Sequence, residues 1–141
     1  GDDNYNQIED RVLSNLKKLS GHSHVARLQG SGSTGLEVMI SNLAYGNVLV
    51  IDSGYYAQRA QMMAEVASKA YGQIKDVKAT HWQGYKEVTG QYDWVVACST
   101  ETSIGLKLDI KELRAFADTL NAKPTKINTI ANTAPVLSLF N

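Results

Sequence analysis

The sequence predicts an α/β fold of three layers, with a mainly parallel sheet flanked by helices. Two observations carry this prediction. Short continuous apolar runs, Val48-Leu49-Val50-Ile51 and Trp94-Val95-Val96-Ala97-Cys98, have strand length and no polar alternation, as in strands buried on both faces. Around them, apolar residues recur at helical spacing over longer stretches. Strands that alternate with such helices build βαβ units, and those pair in parallel.

The elements follow in order along the chain. Asp2 to Asn6 offer polar capping residues, and Ile8, Val12, Leu16 and Leu19 follow at helical spacing, closed by Gly21. Val25 to Gln29 is expected to form a short strand running into the glycine-rich loop Gly30-Ser31-Gly32-Ser33-Thr34-Gly35. Leu36, Met39, Ile40 and Leu43 make the next helical stripe, which stops near Gly46. After the Val48–Ile51 strand, Ser53-Gly54 turns the chain, and Ala60, Met63, Val66, Ala67 and Ala70 mark a long helix ending at Gly72. Ile74 to Thr80 reads as a strand, and the polar stretch His81 to Gln91 as a loop or exposed edge. The strand at Trp94–Cys98 leads into the polar run Ser99-Thr100-Glu101-Thr102-Ser103. Asp109 and Glu112 stand in capping-box spacing ahead of a helix from Ile110 to Leu120.

Composition narrows the function. The chain has 141 residues, 43% hydrophobic and 20% charged, enough for one domain with a real core. Fourteen basic residues balance fourteen acidic ones without any block of like charge, so nothing points to nucleic acid or a membrane surface. The single cysteine, Cys98, excludes a disulfide framework or a multi-thiolate metal site and fits a reducing, cytoplasmic compartment. No apolar run approaches the ~18 residues of a membrane span. The polar start Gly1-Asp2-Asp3-Asn4 does not resemble a secretory signal. His22, His24 and His81 share no metal-ligand spacing with Cys98, so no metal is expected. No nucleophile elbow is present.

In an open parallel sheet, ligands bind where the carboxyl ends of strands pass into helices. Three loops expected at such positions carry polar chemistry: Gly30–Gly35, Asp52–Arg59 and Ser99–Gly105. The first, Gly30-x-Gly32-x-x-Gly35, matches the dinucleotide-binding fingerprint, with Asp52 placed to meet a ribose at the end of the next strand. Arg27 and Gln29 make the preceding strand polar for such a fold. Ser31, Ser33 and Thr34 crowd the loop with hydroxyls, which suit one compact phosphate monoester at a helix N-terminus equally well. A plain glycine-rich turn is the third reading of the same residues.

Four segments together resemble the class V pyridoxal-phosphate aminotransferases of fold type I, the group of the alanine–glyoxylate, phosphoserine and 2-aminoethylphosphonate enzymes. Gly30-Ser31-Gly32-Ser33-Thr34-Gly35-Leu36-Glu37 is similar to the family's phosphate-binding turn. Ser53-Gly54-Tyr55-Tyr56-Ala57-Gln58-Arg59 resembles its next motif, Glu101-Thr102-Ser103-Ile104-Gly105 its Glu-Thr/Ser-Ser-x-Gly stretch, and Asn132–Phe140 its Asn-Thr-x-Pro-Val-x-Ser-Leu-Tyr segment. They stand in the family's order, the first three at family-like spacing. The resemblance implies the large domain of these enzymes and pyridoxal phosphate as cofactor. It also implies a homodimer with shared active sites, a small amino acid or aminophosphonate as donor, and a 2-oxo acid such as pyruvate or glyoxylate as acceptor. Gly32, Ser33 and Thr34 would hold the phosphate, Tyr56 would stack on the pyridine ring, Thr102 would reach the ring hydroxyl, and Thr133 would contact the neighbouring subunit's phosphate. The Gln29–Gly32 start leans towards the aminoethylphosphonate–pyruvate branch, and the Thr133–Leu139 pattern towards alanine–glyoxylate.

The resemblance also implies residues that are not identifiable here. The family's Schiff-base lysine and pyridine-nitrogen aspartate fall between its Glu-Thr-Ser-x-Gly helix and its Asn-Thr-x-Pro segment. In this chain Leu120-Asn121-Ala122-Lys123 runs almost directly into Pro124-Thr125-Lys126-Ile127-Asn128. Neither Lys123 nor Lys126 stands in the lysine motif. The expected organisation is therefore residues 1–123 as part of the cofactor-binding large domain and 124–141 as a later segment. The two are not expected to be contiguous in the native chain. A chain of this content is expected to be inactive by itself, and a truncated, non-catalytic relative is the alternative. The resemblance places the start of a helix into the smaller domain at Asn141, and a capping threonine ahead of an apolar helix is the alternative reading of Thr133.

Overall fold

The computed structural model describes residues 2–120, together with the backbone of the strands Thr129–Thr133 and Val136–Phe140. The order is α1 (Asp2–Ser20), α2 (Gly32–Leu43), β1 (Gly46–Asp52), α3 (Tyr55–Tyr71), β2 (Ile74–His81), β3 (Trp94–Ala97), β4 (Thr100–Glu101), β5 (Leu106–Lys107), α4 (Ile110–Thr119), β6 (Thr129–Thr133) and β7 (Val136–Phe140). The main sheet has strand order β2-β1-β3-β6-β7. Pairing is parallel from β2 through β6, and β7 returns antiparallel to β6. This is a mixed α/β fold, with β4 and β5 forming a separate antiparallel hairpin.

The continuous apolar runs are explained by helices on both faces of the sheet. Val48 and Val50 of β1 and Trp94 and Val96 of β3 point towards α2 and α3. Their neighbours Leu49, Ile51, Val95 and Ala97 point the other way, onto Leu113, Phe116 and Ala117 of α4. A strand covered on both sides has no position left for a polar residue. The buried face of α3 is Ala57, Ala60, Ala64 and Ala67, small side chains at helical spacing that let the helix lie close to the sheet. Gly72, in the left-handed conformation, closes α3 as the sequence predicts. At the sheet edge, β2 keeps Lys75, Asp76 and Lys78 exposed, which discourages pairing with another strand.

Several expectations change. Val25–Gln29 forms no strand; residues 25–28 lie along α1 instead, with Arg27 bonded to Glu9 at 2.5 Å and to the Tyr5 hydroxyl at 3.4 Å. The physical reason is its single well-placed apolar residue: Ala26 to Gln29 are all exposed, too little apolar surface to hold a sheet position. Asp2 to Asn6 are inside α1 rather than ahead of it, with Asp2 and Asp3 in its first turn and Lys17 and Lys18 in its last. Asp109 caps α4 by accepting from the amides of Lys111 and Glu112, but Glu112 pairs with Lys86 at 2.9 Å. The segment after Thr133 is a strand, Val136–Phe140, so Thr133 caps no helix there, and the helix expected from Asn141 lies outside the described residues. The junction Lys123–Asn128 lies outside the described residues. Among those described, no helix is long and apolar enough to cross a membrane.

Candidate functional site

The parallel strands β1, β3 and β6 set their carboxyl ends on one edge of the sheet. α3 starts at that edge, directly after β1. α2 runs back into β1 through only Ala44 and Tyr45, so its N-terminus lies at the same edge. Two helix N-termini, each with first-turn amides that lack an acceptor within the helix and with a partial positive charge, therefore face one region. Leu36 from α2, Tyr56 and Ala57 from α3 and Cys98 after β3 line a cleft there. Its free volume of about 10 Å³ is on the order of one water molecule.

The α3 terminus is served from within the chain. Glu101, fully buried, accepts hydrogen bonds on Oε1 from the Tyr56 amide at 2.9 Å and the Ala57 amide at 3.3 Å. A carboxylate at this position offsets the helix charge and supplies the acceptors its first turn lacks. Its other oxygen, Oε2, is buried without a hydrogen-bond partner. The α2 terminus is different. Ser31 is its N-cap, accepting from the Thr34 amide at 3.2 Å, and the Ser31 and Thr34 hydroxyls lie 3.1 Å apart. The amides of Gly32 and Ser33, the first two residues of the helix, have no acceptor within it by helix geometry. A Cβ placed on Gly32 would meet nothing within 4 Å, so the space beside these amides is open.

The residues predicted from the sequence distribute as follows. Gly32, Ser33 and Thr34 form the first turn of α2, but the Thr34 amide is already taken by Ser31. A side-chain cap is thus the acceptor of the Thr34 amide, and the amides of Gly32 and Ser33 have none within the helix. Tyr56 is 38% exposed, with its ring edge-on to Tyr55 at 5.2 Å, and it borders the cleft. Thr102 is exposed in the turn between β4 and β5, beside Glu101. Thr133 ends β6, and its side chain lies outside the described residues. Asp52 is half-buried at the end of β1. It accepts from the Gly54 amide at 3.1 Å and from Gln58 Nε2 at 3.3 Å, holding its own turn. Because no strand precedes the Gly30–Gly35 loop, the strand–turn–helix context that the dinucleotide fingerprint requires is missing as well.

Cys98 is 7% exposed, and its thiol donates to the Thr100 carbonyl oxygen at 3.2 Å. Burial, reinforced by the Glu101 charge, pushes the thiol up to about 11 from an ordinary value of 9.0. Between those values the folded chain holds a proton that the unfolded chain has released, so stability falls as pH rises through the window. Urea midpoints taken from pH 8 to 11 are expected to drop more steeply for the wild type than for Cys98→Ser. A thiol-specific disulfide reagent at pH 8 is expected to label Cys98 only as the protein unfolds. Immediate labelling of the native chain contradicts this burial.

Sequence reasoning saw Glu101 as one letter of a motif and missed its role as the cap of α3. The available signal was a lone acid in the polar run after one strand, facing a Gly-led helix start after the neighbouring strand. Ser31 was visible as a hydroxyl residue just ahead of a helical stripe, the ordinary mark of an N-cap. No protein-family model matches the chain, and no curated protein matches it either.

Proposed function

We propose that the chain is the cofactor-binding part of a class V pyridoxal-phosphate-dependent transaminase. The reaction moves an amino group from a small amino acid or aminophosphonate to a 2-oxo acid such as pyruvate or glyoxylate. One observation carries the reading: the segments that resemble the family's motifs, distant in sequence, meet at one sheet edge with an open helix N-terminus. The residues present fit a phosphate monoester there. The amides of Gly32 and Ser33 and the hydroxyls of Ser31, Ser33 and Thr34 offer donors, and the space beside Gly32 admits the group. Tyr56 offers a part-exposed ring at the cleft for stacking, and Thr102 a hydroxyl on the rim. Thr133, at the end of β6, is the candidate for reaching the phosphate of a second subunit in a homodimer. When bound, pyridoxal phosphate supplies an electron sink at the substrate α-carbon, and the protein supplies binding and orientation. The fold type I large domain is the finer form of the α/β fold under this reading.

Pyridoxamine 5′-phosphate tests the proposal, because it lacks the aldehyde that labels surface lysines. Titration followed by calorimetry is expected to show saturable binding that inorganic phosphate competes away, with none for NADH. Tyr56→Ala is expected to weaken it by roughly 2- to 12-fold, the equivalent of ~0.5–1.5 kcal/mol of ring stacking. Unchanged affinity in that variant removes the stacking role. Saturable NADH binding without pyridoxamine phosphate binding overturns the reading.

A further inference from the structure

We propose that α1 is a self-association surface, pairing antiparallel across a two-fold axis with α1 of a second copy of this chain. None of its residues is buried, yet Tyr5, Ile8, Val12, Leu16 and Leu19 form an apolar stripe that is between 39% and 85% exposed. A helix with such a stripe is stable when another apolar surface covers it. Among the described residues, 25–28 lie along α1, with a groove between them.

The pattern of the stripe selects the occupant. Its residues are placed symmetrically about Val12. In an antiparallel pair centred there, Val12 meets Val12, Ile8 meets Leu16, and Tyr5 meets Leu19 of the second copy. A surface that matches its own reverse is what an isologous two-fold contact requires. Charge agrees with this direction and opposes the parallel one. Asp2 and Asp3 start the helix, and Lys17 and Lys18 end it. Antiparallel pairing brings the acids of each copy within about one turn of the lysines of the other, and sets the helix dipoles head to tail. Parallel pairing stacks like charges at both ends. Glu9 is held by Arg27 of its own chain, so it does not compete for the lysines. This inference extends the homodimer of the proposed function by naming a surface, but it does not depend on cofactor binding.

Sedimentation of the chain is expected to show a concentration-dependent dimer. Val12→Glu, which sets two carboxylates face to face on the axis, is expected to weaken dimerisation by at least 10-fold. Val12 is 51% exposed, so the fold tolerates the change, and far-UV circular dichroism checks this. Lys17→Glu with Lys18→Glu is expected to weaken the dimer, and adding Asp2→Lys with Asp3→Lys to restore it. In a separate arm, Val12→Cys is expected to form a symmetric disulfide-linked dimer on mild oxidation. A monomeric wild type at about 100 μM overturns the proposal, as does a dimer insensitive to Val12→Glu. Burial of α1 on its own chain or on lipid vesicles, read as a monomer or as vesicle co-sedimentation lost in Val12→Glu, also overturns it. Pyridoxamine phosphate binding is measured on the same variants. Its loss without a change in dimerisation strikes the proposed function alone.

Discussion

Replacing Glu101 with alanine is expected to destabilise the protein by about 2–4 kcal/mol, read as a shift of the urea midpoint at unchanged slope. The side chain is fully buried and serves the amides of Tyr56 and Ala57 together. Alanine leaves both donors without an acceptor in a place water reaches poorly, removes an anion from a helix N-terminus, and opens a cavity. Glu101→Gln separates these contributions. It keeps a carbonyl oxygen for the amides, loses the charge and sets a buried NH2 in place of Oε2, so its expected cost is about 1–2 kcal/mol. An alanine variant within 0.5 kcal/mol of wild type contradicts the capping role. Because Tyr56 is the second residue of α3, loosening this turn is also expected to weaken ligand stacking on its ring.

Gly54→Ala is expected to cost about 2–4 kcal/mol through the same turn. Gly54 has φ +144, a conformation that L side chains rarely adopt. The added Cβ would also lie 2.8 Å from Glu101 Oε1 and 2.9 Å from Ser103 Oγ, so the capping carboxylate must move. Strain and displacement therefore act together, and the two positions are coupled. In the double variant Gly54→Ala with Glu101→Ala, the total loss is expected to be smaller than the sum of the single losses, because the clash is relieved when the carboxylate is gone. Strict additivity indicates that the glycine is required for its backbone conformation alone.

The legible parts of the fold are those in which local pattern and tertiary environment say the same thing. Val48–Ile51 and Trp94–Ala97 are apolar at every position because helices cover both faces, and the sequence displays that directly. The α3 helix, its Gly72 stop and the Asp109 cap were equally readable, but the α3 stripe only in part: Ala60 and Ala67 are buried with Ala57 and Ala64, whereas Val66 and Ala70 are exposed. Val25–Gln29 was misread because a short polar-apolar mixture carries no record of whether a sheet edge is available to it. Its partner is α1, through Arg27 and Glu9, residues that periodicity treats as ordinary surface. Whether Thr133 caps a helix was not legible, because an apolar run of the length of Val136–Phe140 suits either a strand or a helix start.

The site divides in the same way. Sequence pattern singled out the Gly30–Gly35, Asp52–Arg59 and Ser99–Gly105 loops as polar segments. It could not say which helix N-terminus was open, since that depends on who supplies the acceptors. Glu101 closes α3 from more than forty residues away, and Ser31 takes one amide of α2 while leaving its neighbours. By itself the sequence determined the α/β alternation, the buried strands, the balanced charge and the helical apolar stripe of α1, because each is a property of composition or local period. Only the tertiary structure decided that Asp52 serves its own turn, that Glu101 is a cap, and that the space beside Gly32 is free. Those facts are distances between residues remote in the chain, and no local pattern encodes a distance that folding alone creates.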